Sequence, residues 1–287
     1  MARIAIIGGG GMGEALLAGL LRAGRQVKDL VVAERLADRA DYLSNKYSVR
    51  MASVGAAVEN ADFVIVAVKP SDAESVVAVI AELAARADSD TVEQVLISVC
   101  AGITTAFYEA RLPAGSPVIR VMPNAPALVG AGVSALAKGR FATDEHLAQA
   151  STLFESVGAV VTVPESQLDA VTAVSGSGPA YFYLFVEALV DAAVANGLQR
   201  AIATDLVAQT MAGSAAMLLE RIDDERTAGT DTGLDTTPAR LRAMVTSPAG
   251  TTAAGLRELE RGAVRAAVTA AVDAAKTRSE QLGITSE

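Results

Sequence analysis

Three observations predict an α/β chain with an N-terminal Rossmann-like doubly wound sheet followed by an all-helical C-terminal domain. Short apolar runs alternate with helical periodicity as far as residue 164. Glycines follow the first of those runs directly, and strand signals stop after Pro164. The length of 287 residues is about twice the ~150 of a single domain, which gives 1–164 as a dinucleotide-binding domain and 165–287 as a helical one.

The elements follow in order. Residues 3–8 (RIAIIG) read as a strand, and the glycines after it open a helix with Leu16, Leu17, Leu20 and Leu21 on one face. Then come strand 29–34, helix 36–46, a short strand 49–52, strand 62–68, helix 71–86 and strand 94–100. Strands this uniformly apolar belong in a parallel sheet covered on both faces. Strands 117–122, 132–137 and 158–163 follow, with helix 143–157 between the last two. Beyond 164, helices are expected at 166–175, 179–197, 199–224, 238–246 and 250–283, and the polar stretch 226–237 reads as a loop. Segment 179–197 is apolar round most of its circumference, with only Glu187 and Asp191 charged, so a partner subunit must cover it.

Composition narrows the function. With 51% hydrophobic and 20% charged residues the chain is an ordinary globular protein, and its 58 alanines favour closely packed helices. Lys plus Arg total 24 against 33 Asp plus Glu, and the net charge of −9 argues against nucleic acid or an anionic membrane as partner. The single cysteine, Cys100, can form neither an internal disulfide nor a multi-thiolate metal site, so no metal is expected and a reducing cytoplasm fits. The longest uncharged runs, 121–137 and 170–186, are too short and too broken by Gly and Pro to span a bilayer.

Gly8, Gly10 and Gly13 form GxGxxG between a strand and a helix, the context in which the motif binds a pyrophosphate at a helix N-terminus. Glu34, twenty-one residues past Gly13, suits a ribose diol, whereas the adjacent Arg35 suits a 2′-phosphate. The two signals conflict. Tyr42 and Lys46 have the YxxxK spacing of short-chain dehydrogenases but stand on the helix after the second strand, where a solvated face is the better reading. Gly176 and Gly178 fit a β-hydroxyacid dehydrogenase helix start, yet Phe182 occupies the place of its lysine. His146, the only histidine, follows helix-start residues and reads as surface. In 238–260 the turn Ser247-Pro248-Ala249-Gly250-Thr251-Thr252 leads into a helix, where free N–H groups and hydroxyls could hold a carboxylate. The plainer reading of that turn is a helix capped by Thr251.

VTSPAGTTAAGLRELE, preceded by Pro238, Leu241 and Val245, resembles the signature of the pyrroline-5-carboxylate reductase family. The glycine loop, VAVKP at 66–70, RVMPNAP at 120–126 and DAVTAVSGSGPAYFY at 169–183 agree with it, so the resemblance spans nearly the whole chain. It implies NAD(P)H-dependent reduction of the cyclic imine 1-pyrroline-5-carboxylate to L-proline, and an obligate homodimer formed by the helical domain, with rings of dimers as a further step. It also implies site residues. Thr252 would be the catalytic hydroxyl on the imine nitrogen, with Ser247, Gly250, Thr251, Glu165 and Asp235 around the substrate; Asp235 stands where a longer Glu is usual. Gly8, Gly10, Gly11, Met12, Gly13, Arg35, Val68, Lys69, Pro70 and Ala101 would line the cofactor, with NADPH favoured over NADH only through Arg35. A protonated C=N accepts hydride without a strong neighbouring acid, which agrees with a chain whose one histidine lies outside every motif.

Overall fold

The computed structural model describes residues 2–86, 94–228 and 236–284. Asp235 therefore lies outside the described residues, as does most of the expected loop at 226–237. The described chain forms two compact units, Met1–Pro179 together with Val272–Glu287, and Ala180–Ala271.

The first unit is built on eight strands: β1 (Ile4–Ile7), β2 (Leu30–Ala33), β3 (Arg50–Met51), β4 (Phe63–Val66), β5 (Val95–Ser98), β6 (Val118–Met122), β7 (Gly132–Lys138) and β8 (Gly158–Thr162). Their order across the sheet is β3-β2-β1-β4-β5-β6-β7-β8, and the first six run parallel in the doubly wound order that the alternating pattern requires. β7 is antiparallel to β6, and β8 runs parallel to β7. The helices of this unit are α1 (Gly11–Arg22), α2 (Ala37–Tyr47), α3 (Val54–Val58), α4 (Ala73–Ala84), α5 (Thr105–Glu109), α6 (Asp144–Phe154) and α7 (Leu168–Val171).

Strand alternation sorts the core into two layers. Ile4 and Ile6 of β1 pack with Leu16, Leu17 and Leu20 of α1 and with Leu153 and Phe154 of α6. Ala5 and Ile7 face the other way, against Val77 and Ile80 of α4 and Phe107 and Tyr108 of α5. Helices α3 and α5 were not anticipated because five residues carry too little periodicity to read. Each instead carries a local cap signal: Ser53 accepts from Ala56 N–H and Thr104 from Phe107 N–H.

Strand signals end at 164, but the first unit continues to 179. Leu168 is fully buried against Ala135 and Ala137 of β7, and after α7 the chain makes a π-helical turn, Thr172–Gly176. The expected helix 166–175 is thus a short 3₁₀ turn, Glu165–Gln167, then α7, then the π turn.

The remaining helices are α8 (Gly178–Ala195), α9 (Arg200–Thr227), α10 (Thr237–Met244), α11 (Thr251–Arg261) and α12 (Val264–Ile284). The single helix expected over 250–283 is two. The chain breaks at Gly262-Ala263, where Ala263 adopts φ 54°, a left-handed value that a continuous helix cannot hold. In the second unit Glu225 near the end of α9 accepts from Thr237 Oγ1 at 2.7 Å and pairs with Arg240, fixing α10 against α9. Much of its apolar surface is uncovered: Phe182, Tyr183 and Leu184 of α8 are 62, 61 and 67% exposed, and Leu206 and Leu219 of α9 are exposed as well.

Candidate active site

The first candidate site lies where the carboxyl ends of β1 and β4 meet, the switch point of a doubly wound sheet. Gly8 leaves β1 at φ 105°, and a Cβ there would stand 2.5 Å from the Ala67 carbonyl oxygen. A Cβ on Gly13 would fall 1.9 Å from the Gly8 carbonyl oxygen, so only glycine lets α1 start this close to β1. Gly10 and Gly11 are different. Among the described residues, none beyond the adjoining backbone comes within 4 Å of a Cβ at either position, so the absence of side chains there leaves open space. Gly10 precedes α1 without a side-chain cap, and the N–H groups of the first turn, Gly11 to Gly13, lack helical partners. Open space, free donors and the helix dipole together fit a pyrophosphate.

Val68, Lys69, Pro70 and Ala101, expected from the sequence to line the cofactor, follow β4 and β5 in the chain. Lys69 is exposed and precedes a 3₁₀ turn, Pro70–Asp72. Val68 and Ala101 are partly buried at the ends of β4 and β5. Cys100 is buried between these strand ends, where its thiol donates to the Val68 carbonyl at 3.3 Å; burial raises its pKa, so it is a packing residue.

The structure also shows where each charge at the end of β2 points. Glu34 turns inward: its Oε2 accepts from Gly9 N–H at 2.8 Å and its Oε1 from Leu36 N–H at 2.9 Å. Arg35 is exposed and, among the described residues, has no ion-pair or hydrogen-bond partner. Tyr42 and Lys46, read as a solvated face, converge with Tyr47 and Arg39 on the Glu14 carboxylate in the first turn of α1. Burial alone would raise the Glu14 pKa, but the hydrogen bonds from Lys46, Tyr47 and Arg39 outweigh it and hold it at about 2.

The Glu14 shift makes stability depend on pH. Because the folded-state pKa lies below the usual 4.5, the stabilisation is complete above that value and is lost as pH falls through about 2. Glu14→Gln is expected to lower stability by about 1 kcal/mol at neutral pH, the scale of a partly solvated ion pair. In denaturant titrations its deficit against wild type should shrink steadily below about pH 4.5. A deficit independent of pH would show that packing, not charge, causes it.

The second candidate site is the turn before α11. The Gly250 N–H donates to the Ser247 carbonyl at 3.1 Å, and Ala249 takes φ 56°. Here the plain capping reading fails. Gly250, not Thr251, is the N-cap, and no side chain caps the helix. The hydroxyls of Ser247, Thr251 and Thr252 are exposed and, among the described residues, without hydrogen-bond partners. Three hydroxyls and the unclaimed N–H groups of the first turn suit a carboxylate.

Glu165, expected near the substrate, makes contacts within the first unit. Its carboxylate accepts from Thr105 N–H at 2.7 Å and Thr105 Oγ1 at 2.6 Å, and Arg120 lies 3.4 Å away. Arg120 is buried and also faces Asp169 at 3.6 Å, which accepts from Ser279 Oγ at 2.7 Å. This network ties β6, α5, α7 and α12 together, and each Glu165 oxygen accepts a hydrogen bond within it. Asn124 holds backbone, as a turn residue should: it accepts from Val133 N–H and donates to the Ser175 carbonyl. His146 closes a capping box with Thr143. Sequence reasoning missed Arg39 and Arg120. The signal for Arg120 was an arginine inside an apolar strand, and for Arg39 its sharing one helix face with Tyr42 and Lys46.

The comparisons agree with both halves. Residues 3–102 match a family model described as NADP oxidoreductase, coenzyme F420-dependent, and residues 165–282 one described as pyrroline-5-carboxylate reductase dimerisation. A pyrroline-5-carboxylate reductase of Mycobacterium tuberculosis is 68% identical over 100% of this chain and 99% of its own. The chain belongs to the pyrroline-5-carboxylate reductase family. Another relative of that description, from Corynebacterium melassecola, is 42% identical over 99% of both chains. The solved reductase of Coxiella burnetii superposes with a TM-score of 0.85 at 33% identity, covering 98% of each chain. That of Plasmodium falciparum, solved with NADP bound, gives 0.81 at 29% identity over 98% of each. The chain is thus an oxidoreductase that uses a nicotinamide cofactor, and it carries a dimerisation domain. By length and composition alone, Glu165–Ala195 and Arg200–Thr227 could cross a membrane. The dimerisation match includes both, and a second subunit is another cover for the same apolar surface.

Proposed function

We propose that this chain reduces the C=N bond of 1-pyrroline-5-carboxylate to give L-proline, the last step of proline biosynthesis. The observation that carries the proposal is full-length identity of 68% to a reductase of that description. The local chemistry supports it. The turn at 247–251 takes the substrate carboxylate on its free N–H groups and hydroxyls, and Thr252 hydrogen-bonds the ring nitrogen and orients it. The reduced nicotinamide, when bound, supplies the hydride that adds to the imine carbon. The ring nitrogen carries its proton before reduction, so Thr252 need not act as an acid. Glu165 and Asp235 stay substrate-binding candidates from the family resemblance.

The reading favours NADPH. Among the described residues Arg35 is exposed and without a partner, free to pair with a 2′-phosphate, while Glu34 has both oxygens turned to the Gly9 and Leu36 N–H groups. In this reading the working form is an obligate homodimer, assembled further into rings, and the reaction takes place in the cytoplasm.

Steady-state assays with both reduced cofactors test the proposal. Pyrroline-5-carboxylate should give stoichiometric cofactor oxidation, and open-chain 2-oxo acids none; the opposite pattern would assign a different reductase. In the same assay Arg35→Ala should raise the KM for NADPH about tenfold or more and that for NADH little. Equal effects would show that Arg35 does not read the 2′-phosphate.

A further inference from the structure

The Gly9 peptide, in the middle of the dinucleotide loop, is held from both sides by the protein itself. Its N–H donates to Glu34 Oε2 at 2.8 Å, and its carbonyl accepts from Arg39 Nε at 2.7 Å. A Cβ at Gly9 would stand 2.4 Å from Leu43 Cδ1, so the loop is packed down on α2. The same Arg39 guanidinium pairs with Glu14 through Nη2 and lies 4.9 Å from the Tyr42 ring centre. Lys46 reaches Glu14 at 2.9 Å, and Tyr42 OH accepts from Lys46 at 2.7 Å.

Glu14 presents a physical problem in that place. It stands in the first turn of α1, beside the free N–H groups fitted to a pyrophosphate, and a lone carboxylate there would repel the ligand. Arg39 and Lys46, both on that carboxylate, offset Glu14 and the neighbouring Glu34, so the loop presents no net negative charge. The arginine does more than supply charge, because its Nε–H also fixes which way the Gly9 carbonyl points. With that carbonyl turned toward α2, it is kept from facing the phosphates as a competing dipole.

We infer that Arg39 is the positioning residue of the dinucleotide loop, holding the Gly9 peptide and, with Lys46, neutralising Glu14 so that the α1 terminus can accept a pyrophosphate. The inference rests on the cofactor reading of the glycine loop. Its signature separates it from Arg35. Arg39 spends Nε on Gly9 and Nη2 on Glu14, so it acts on the part that NADPH and NADH share.

The test is binding of NADPH and NADH to the full-length protein, followed by nicotinamide fluorescence without substrate, together with KM and kcat for each. Arg39→Met should raise Kd and KM about tenfold for both cofactors, within a factor of about two of each other, with kcat at saturation nearly unchanged. Arg39→Lys, which keeps the charge but loses the planar fork, should still raise both by a few-fold and covers the case in which the Met variant does not fold. A lowered melting temperature with wild-type Kd would make Arg39 a structural residue only and overturn the inference. A loss confined to NADPH would overturn it too, by making Arg39 a ligand of the 2′-phosphate. Failure of the wild-type protein to bind either dinucleotide would instead refute the cofactor reading itself, before any variant is made.

Discussion

Thr252→Ala is expected to turn over ~10- to ~1000-fold more slowly than the wild-type protein while binding both dinucleotides as before. The size follows from what the hydroxyl does not do in the resting protein. Thr252 is exposed, does not cap α11 and, among the described residues, has no hydrogen-bond partner, so its removal leaves no buried group unsatisfied. The fold should therefore keep its stability, and any loss of rate is loss of an interaction with substrate. Thr252→Ser keeps the hydroxyl and should recover most of the rate. The measurements are kcat with pyrroline-5-carboxylate, a dinucleotide titration and a thermal melt on the same preparations. Unchanged kcat in a folded Thr252→Ala protein removes the residue from the mechanism.

A charge on the uncovered face of α8 should do comparable damage by another route. Leu184 is 67% exposed in the protomer and lies beside Phe182 and Tyr183, which are nearly as open. Apolar surface of this extent, within residues that match a dimerisation domain, is the surface expected to be buried by a partner subunit, where a carboxylate would be desolvated without a counter-charge. Leu184→Glu should yield monomers, with activity lost in parallel with assembly; Leu189→Glu, at a less exposed position on the same helix, should be milder. Sedimentation at sub-micromolar concentration reads the assembly, and activity at the same concentration reads the function. A folded, fully active monomer would refute the obligate dimer.

What could be read in the sequence was whatever depends on neighbours along the chain. The eight strands show as short, mostly apolar runs and the long helices as helical apolar patterns, and the loop from Gly8 to Gly13 shows in its spacing, because a tight turn needs glycine whatever surrounds it. The turn at 247–252 was legible too, through family resemblance, although its lack of a side-chain cap was not. Gly262 sits inside an unbroken helical pattern, and nothing local says whether the chain runs through it or turns; the structure turns at Ala263.

The sequence by itself therefore determined the fold class, the family and the positions of the two candidate sites. Only the tertiary structure decided how the charges within them are used. Glu34 and Arg35 are adjacent in sequence with conflicting meanings, and the fold separates them by bringing Gly9 N–H within 2.8 Å of one and leaving the other in solvent. Arg39 meets Gly9 from 30 residues away, and Arg120 meets Glu165 from 45. The reason is physical: hydrophobic periodicity depends on each residue's own side chain and its near neighbours, whereas a hydrogen bond needs donor and acceptor placed within about 3 Å, which packing of distant segments alone can arrange.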